Sequence, residues 1–458
     1  MASTAKKIAI LGGGITGLSA AYKLNQAGHS VRVFEKEASI GGAIKSELVH
    51  EWLIEKGPNS LQETSELKAL IEELGLESER VEASTTAKKR FLVKNSRLET
   101  VPMGPGSFFK TSLFSTSAKF RIFRELFFAK KNRTTDISLA TFVRDHFGSE
   151  ILDQAVQPMI SGIYAGDPEV LSVEHSFPKL LELEKETGSL IRGLIRSSKA
   201  KKKDGKKSIS KLISFRKGLA TLPQSLATKL PTGCIECEAS VVRISNEPTW
   251  SLTYTKDGLE KTENFDYIVS SLPASALSAL SFTALNKKPL EALSTIKHPA
   301  VSSLFLGFKR SAVKHPLDGF GCLIPAKEKK TVLGILFSSS LFEGRAPKDC
   351  VALTVMVGGS LNSDLALQST DIILSKIMPD LRELLQVTEP PLFIRHTTWP
   401  KAIAQYNLGY EAIRDAISAT ETAYPGFFVG GQLRDGISVP DCIQSGFKLA
   451  QKVQSLIK

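Results

Sequence analysis

The chain has 458 residues, 42% of them hydrophobic and 23% charged, an enzyme-like balance too long for a single core. Five cysteines exclude a disulfide framework, and Cys234 and Cys237, a lone Cys-x-x-Cys, lack the second ligand pair of a zinc site, so no metal is expected. The net charge of +12 is local: Gly106–Arg133 holds seven Lys/Arg against one acid and Leu190–Lys217 eleven against one, while the remainder has 41 basic and 45 acidic residues, which excludes a nucleic-acid binder and predicts basic surface patches.

In chain order, Lys7–Leu11 reads as a strand, Gly17–Ala27 as a helix stopped by Gly28, and Ser30–Glu35 as a second strand. Because Lys6–Leu11 is already strand-like, no secretory leader is expected, and no window approaches the roughly 18–20 apolar residues of a membrane span. A cytoplasmic protein is the simplest reading. Ser65–Leu74 is a further helix, ended by Gly75. From Pro102 to about Ser214 the pattern becomes amphipathic helix. Ala118–Lys130 carries Phe120, Phe123 and Phe127 near helical spacing, interleaved with Lys119, Arg121, Arg124 and Lys130. Ser197–Lys211, rich in Lys, Ser and Gly, is expected as a loop. Helix returns at Leu219–Leu230. Strands are predicted at Ser240–Ser245, Trp250–Thr255, Tyr267–Ser271, Ser302–Phe308, Val332–Phe337, Val351–Val357, Leu392–His396 and Gly426–Val429. Helices are predicted at Asp371–Leu385 and Pro440–Leu456.

The strongest motif is Gly12-Gly13-Gly14-Ile15-Thr16-Gly17, a G-x-G-x-x-G between strand and helix. Gly12 permits the turn, Gly14 lets a pyrophosphate approach the backbone at the helix N-terminus, and Gly17 allows close helix–strand packing. Glu35, 18 residues after Gly17 at the end of the next strand, is placed to accept a hydrogen bond from a ribose hydroxyl.

The continuation Ser39-Ile40-Gly41-Gly42-Ala43 resembles the second glycine pair of the amine-oxidase-like flavoproteins, which selects FAD over NAD. The late Phe427–Gly431 strand and turn, followed by a helix near Pro440, fits the same superfamily. That helix is expected to aim its positive end at the flavin. One departure is that Gly431 and Gln432 stand where many relatives carry an acid. No Cys or His lies in the glycine-rich segments, so the FAD is expected to be non-covalent.

Longer stretches resemble the oxygen-dependent protoporphyrinogen oxidase family. They are Glu55–Ser60, Ser161-Gly162-Ile163-Tyr164-Ala165-Gly166-Asp167-Pro168, Gly319–Pro325, Trp399–Tyr406 and Gly436–Gly446. The resemblance implies an α/β chain of three parts. A discontinuous Rossmann-like FAD domain would take 1–85, 216–285 and 425–458, a mixed-sheet substrate domain 86–100 and 286–424, and a helical membrane-associating domain 101–215. It implies oxidation of protoporphyrinogen IX to protoporphyrin IX over three flavin cycles, with oxygen reduced to hydrogen peroxide. By the same resemblance Lys36, Gly42, Ala43, Gly57, Pro58, Asn59, Ser60, Val242, Trp399, Ile437, Ser438 and Val439 join the glycine motif and Glu35 around the cofactor. Arg90 falls at the propionate-binding position, where a guanidinium suits a carboxylate. The bland alternative is one of three cations on a solvated edge. Leu323, Leu336 and Met356 fall where apolar side chains grip the macrocycle, or else are ordinary core. Gly162 matches a glycine whose carbonyl faces the reacting region, or else is a turn glycine. No side-chain base is expected: His50, His146, His175, His298, His315 and His396 form no dyad. Gly106–Arg133 is expected to dock peripherally on a membrane surface, and a homodimer is left open. The rival readings are a coproporphyrinogen III oxidase, whose four-carboxylate substrate would need more cations, another amine-oxidase-like enzyme, and a non-catalytic flavin- or heme-carrying interaction protein.

Overall fold

The computed structural model describes residues 5–128, 131, 133–203, 211–246, 248–282 and 290–457. Five parallel strands form one sheet in the order Ile235–Glu236, Ser30–Phe34, Lys7–Leu11, Tyr267–Ser270 and Phe427–Val429. They come from three separate parts of the sequence, so the sheet is assembled from discontinuous segments. Ile8 to Leu11 are all buried, the unbroken apolar run of a strand covered on both faces. On one face the helices Ile15–Gln26 and Val439–Leu456 pack together through Leu18, Leu449 and Val453. On the other lies an antiparallel meander, Ser240–Asn246, Trp250–Lys256 and Leu259–Phe265, joined by Trp250, Leu252 and Phe265 to Phe34 and Phe427.

A mixed sheet of seven strands has the order Phe393–Trp399, Val301–Lys309, Cys350–Gly358, Gly334–Leu336, Gly319–Leu323, Lys89–Lys94 and Arg97–Thr100. Its last pair is an early hairpin that joins the sheet by parallel pairing of Leu92 with Leu323. Alternate residues Phe91, Val93, Cys322, Ile335, Val355 and Val357 face one core with helix Thr370–Leu385.

The helices that follow this hairpin in the chain, including Thr116–Glu125, Leu139–Phe147, Gln157–Ile163, Pro178–Thr187 and Leu190–Lys203, enclose a core of Leu113, Phe114, Leu139, Phe142 and Leu152. Two expectations change here. The helix predicted over Ala118–Lys130 runs from Thr116, capped by Ser115, to Glu125, and residues 129–130 lie outside those described. The loop expected from Ser197 is helical to Lys203, because Lys, Ala and Arg favour helix once a preceding turn is anchored; 204–210 lie outside the description. Among the described residues no helix is long and apolar enough to cross a membrane.

Candidate active site

The glycine turn behaves as its spacing requires. Gly12 has φ +97°, and a Cβ on Gly17 would lie 2.0 Å from the Gly12 carbonyl oxygen, so helix and strand meet at a distance only glycine allows. Gly14 is the helix N-cap, with no side chain capping that end, no acid in the first turn, and open space within 4 Å of a Cβ. Bare N–H groups facing an unfilled cradle fit a pyrophosphate. The second glycine pair closes the cradle: Gly41 N donates to Gly13 O at 2.8 Å, and a Cβ on Gly42 would come 3.3 Å from Gly14 Cα. Glu35 is buried beneath the turn. Its Oε2 accepts from Gly13 N at 2.8 Å and its Oε1 from Glu37 N at 2.9 Å, which fixes the carboxylate while leaving lone pairs for ribose hydroxyls.

Other predicted cofactor positions converge on this cleft. Gly57 sits against Ala43, where a Cβ would fall 2.0 Å from the Ala43 carbonyl oxygen, and starts the Gly57–Ser60 turn with Pro58 and Asn59. Trp399 Nε1 donates to Lys56 O at 2.8 Å, pinning that turn to the edge strand of the seven-stranded sheet. Val242 occupies a bulge between Val241 and Arg243, in the strand that starts just after Ala239 N donates to Glu35 O at 2.9 Å. Lys36 is exposed and ion-paired with Glu37 at 3.5 Å. Ile437, Ser438 and Val439 open the C-terminal helix, capped by the Ser438 hydroxyl. This helix packs closely on the first, since a Cβ on Gly446 would be 2.4 Å from Thr16 O. Where an acid was missing, Gly431 takes φ +92° against Thr16, and its N–H donates to Ser445 Oγ at 2.7 Å. Burial pushes the Cys442 thiol up to about 11, so it is an unreactive thiol at neutral pH.

The predicted substrate residues lie on the larger sheet. Gly334 pairs with both Leu323 and Met356, and two residues on, Leu336 pairs with Gly321 and Thr354. Leu323, Leu336 and Met356 therefore share one face, opposite the core that holds Cys322, Ile335 and Val355, and all three are half-buried. In the hairpin Leu92 aligns with Leu323, and Arg90, two residues earlier, points the same way. The Arg90 side chain is exposed, stands over the Phe320 ring at 5.4 Å, and has no acidic partner among the described residues. Gly162, in helix Gln157–Ile163, lies on this face: a Cβ there would meet Leu323 Cδ2 at 2.5 Å. Its lack of a side chain thus has a packing cause within the chain itself.

The Ser161–Pro168 stretch is a junction. Gln405 Nε2 donates to Tyr164 O at 2.9 Å, and Ser360 N to Ala165 O at 2.8 Å, so helices, sheet and the Trp399–Tyr406 stretch meet there. One buried cluster was not foreseen. Each nitrogen of the fully buried His146 ring faces a carboxylate, Glu125 at 2.9 Å and Glu184 at 3.2 Å. Glu125 also accepts from Ser189 Oγ at 2.7 Å, Leu190 N at 2.6 Å and Ile191 N at 3.1 Å, capping the basic helix. Burial opposes the charge of Glu125, but these hydrogen bonds outweigh it and hold its carboxyl below the usual range. The signal was present in the sequence: Glu125 is the lone acid of Gly106–Arg133.

The model of the family described as flavin containing amine oxidoreductase matches residues 15–454. The chain belongs to that family. Within it, this chain is 34% identical to protoporphyrinogen oxidase 2, chloroplastic/mitochondrial, of Arabidopsis thaliana, over the whole chain and 95% of the relative. It is 26% identical to coproporphyrinogen III oxidase of Bacillus subtilis, over 97% of each. A solved structure provisionally assigned as a protoporphyrinogen oxidase, from Exiguobacterium sp. 255-15, has the same fold, with a TM-score of 0.83 at 22% identity over 99% of this chain and 100% of that one. Membership makes the protein an FAD-dependent oxidoreductase.

Proposed function

We propose that this enzyme oxidises protoporphyrinogen IX to protoporphyrin IX, with molecular oxygen as the final acceptor. Arg90, Leu323, Leu336 and Met356 lying on one sheet face under Gly162 is the observation that carries this reading. A porphyrinogen is a flexible apolar macrocycle with propionates at one edge. Arg90, without an acidic partner among the described residues, suits a propionate, while the apolar row excludes water and holds the ring in place. Gly162 lets the macrocycle come close, and its carbonyl dipole stabilises positive charge that develops on the ring. FAD, when bound, supplies the two-electron oxidising chemistry. No histidine of the chain is needed as a base, since each reacting meso carbon joins two pyrrole rings whose nitrogens stabilise the positive charge that develops there.

The three-part division of the chain, as FAD, substrate and helical regions, goes with this reading. So does peripheral docking of the helical region on an anionic membrane. Phe109, Phe120, Phe123 and Phe127 are exposed on one region. Beside them Phe108, Phe109, Ile122, Phe123 and Leu126 line an apolar cavity of about 480 Å³. A four-carboxylate substrate is less well served: of the adjacent Lys88, Lys89 and Arg90, Lys89 is occupied by Asp318. The test is a steady-state assay of the purified holoenzyme with protoporphyrinogen IX and coproporphyrinogen III in parallel, following porphyrin fluorescence. A higher kcat/KM for the former is expected; the reverse order reassigns the substrate, and no porphyrin from either rejects the class.

A further inference from the structure

The mechanism above leaves unused a buried tyrosine that touches the cofactor loop. After the strand Phe427–Val429 the chain turns through Gly431–Gly436 before the C-terminal helix starts at Val439. This turn borders the pyrophosphate cradle, because a Cβ on Gly431 would lie 3.5 Å from Thr16 Oγ1. Two of its glycines, Gly431 at φ +92° and Gly436 at φ +115°, take left-handed backbone, so the turn needs outside support to hold one shape.

Ser445 Oγ holds its start at Gly431 N, and one tyrosine hydroxyl spans it. Tyr406 Oη donates to Gln432 O and accepts from Gly436 N at 3.1 Å, bridging both limbs of the turn. Its ring packs against Tyr410 at a centroid distance of 4.5 Å, and Tyr410 Oη donates to Leu433 O at 2.8 Å. The far side of Tyr406 is anchored too. Its carbonyl accepts from Ser172 N at 2.8 Å, and Leu408 N donates to Val170 O at 2.8 Å. Burial pushes the phenol well above its ordinary range, so the hydroxyl keeps its proton, and with it the donor bond, at any working pH.

We propose that Tyr406 is a positioning residue for the flavin: its hydroxyl fixes the Gly431–Gly436 turn and thereby aims the N-terminus of the C-terminal helix at the cofactor. A helix N-terminus favours negative charge nearby, so the placement of this end weights reduced over oxidised flavin. The inference rests on the FAD cofactor and not on the identity of the porphyrinogen, and the measurements that decide it, spectrum, release rate and potential, need no substrate.

The Tyr406→Phe holoenzyme keeps the ring and loses only the hydroxyl. It is expected to release FAD about tenfold faster on dilution, with a perturbed visible flavin spectrum. A tenfold loss of preference for the reduced form lowers the two-electron midpoint potential by about 30 mV. With a turnover assay, kcat should fall while KM stays near its starting value. If Tyr406→Phe does not fold, Tyr410→Phe, which removes one bond to the same turn, carries the test with an expected threefold change in release rate. A variant that is only less heat-stable, with spectrum, release rate and potential unchanged, overturns the proposal, as does an unchanged Tyr410→Phe where it is the variant measured.

Discussion

At the glycine cleft the main chain makes the contacts: Gly12, Gly13, Gly17, Gly41 and Gly57 bring backbone against backbone, and the buried Glu35 carboxylate organises the turn. In the helical region side chains do that work. His146 lies between Glu125 and Glu184, Arg133 reaches Glu184 at 2.8 Å and Asp145 at 3.1 Å, and Phe128 and Phe142 close over the imidazole. The difference sets how each region fails. A cleft built from glycines responds to the direction in which a new Cβ points. A knot of buried charges responds to the loss of one partner and to pH.

The sharpest way to test that contrast stays inside the cleft. Gly14→Val adds its side chain to open space, so the variant is expected to fold with a near-normal melting temperature and yet be colourless, because the cradle is filled. Gly17→Val drives a Cβ to 2.0 Å from Gly12 O and is expected to prevent folding. Thermal unfolding and flavin absorbance of the two variants check the pair. Full flavin content in folded Gly14→Val would move the pyrophosphate elsewhere.

In the helical region Glu125→Ala strands an imidazole, a hydroxyl and two backbone N–H groups without their acceptor. Breaking a buried pair in this way costs about 3–5 kcal/mol, measurable by urea denaturation. The pH sign follows from the lowered carboxyl of Glu125. Its contribution is complete above the unfolded value of about 4.3 and is lost as pH falls below that value through the folded one. The wild type should therefore lose stability more steeply below pH of about 4.3 than Glu125→Gln does. Equal slopes would take the knot out of the stability balance.

The two regions also differ in how far the sequence reveals them. Gly12, Gly14, Gly17 and Glu35 are readable because the ligand imposes a spacing along one short stretch. Which face Arg90 shares is not, since that depends on Leu92 pairing with Leu323, more than 200 positions away, and non-local pairing leaves no local periodicity. The Trp399–Tyr406 stretch stands out by resemblance, but the Tyr406 partners Gln432 and Gly436 belong to another stretch, so its support of the turn is visible only in space. Ser197–Lys203 reads as loop by composition and is helix because Glu125, far back in the chain, caps the turn at Ser189–Ile191.

Between the two regions stands the sheet face, where one charge is asked to act alone. Arg90→Ala removes a guanidinium that makes no ion pair within the described protein, so folding should be untouched. Losing a charge-assisted hydrogen bond to a propionate costs about 1.5–3 kcal/mol of binding, a roughly ten- to hundredfold rise in KM with kcat far less changed. Unchanged steady-state kinetics would return Arg90 to a solvated edge.

The smallest expected effect tests the outer surface of the helical region. Phe120, Phe123 and Phe127 are exposed at 61%, 51% and 75%, on the same segment as Lys119, Arg121 and Arg124. An interfacial helix would place aromatic rings at the headgroup boundary and cations against phosphate, each cation near an anionic surface contributing about 1 kcal/mol. Screening shortens from about 10 Å at 0.1 M salt to about 3 Å at 1 M, so the charge-driven share should vanish across that range. Holoenzyme should co-sediment with phosphatidylserine-containing vesicles at low salt, release at high salt, and bind severalfold less as Phe127→Ser. The buried His146 knot lies beneath this surface and is not touched by that substitution, so the melting temperature should hold. Equal binding to anionic and neutral vesicles, or none to either, would leave these phenylalanines without a membrane role.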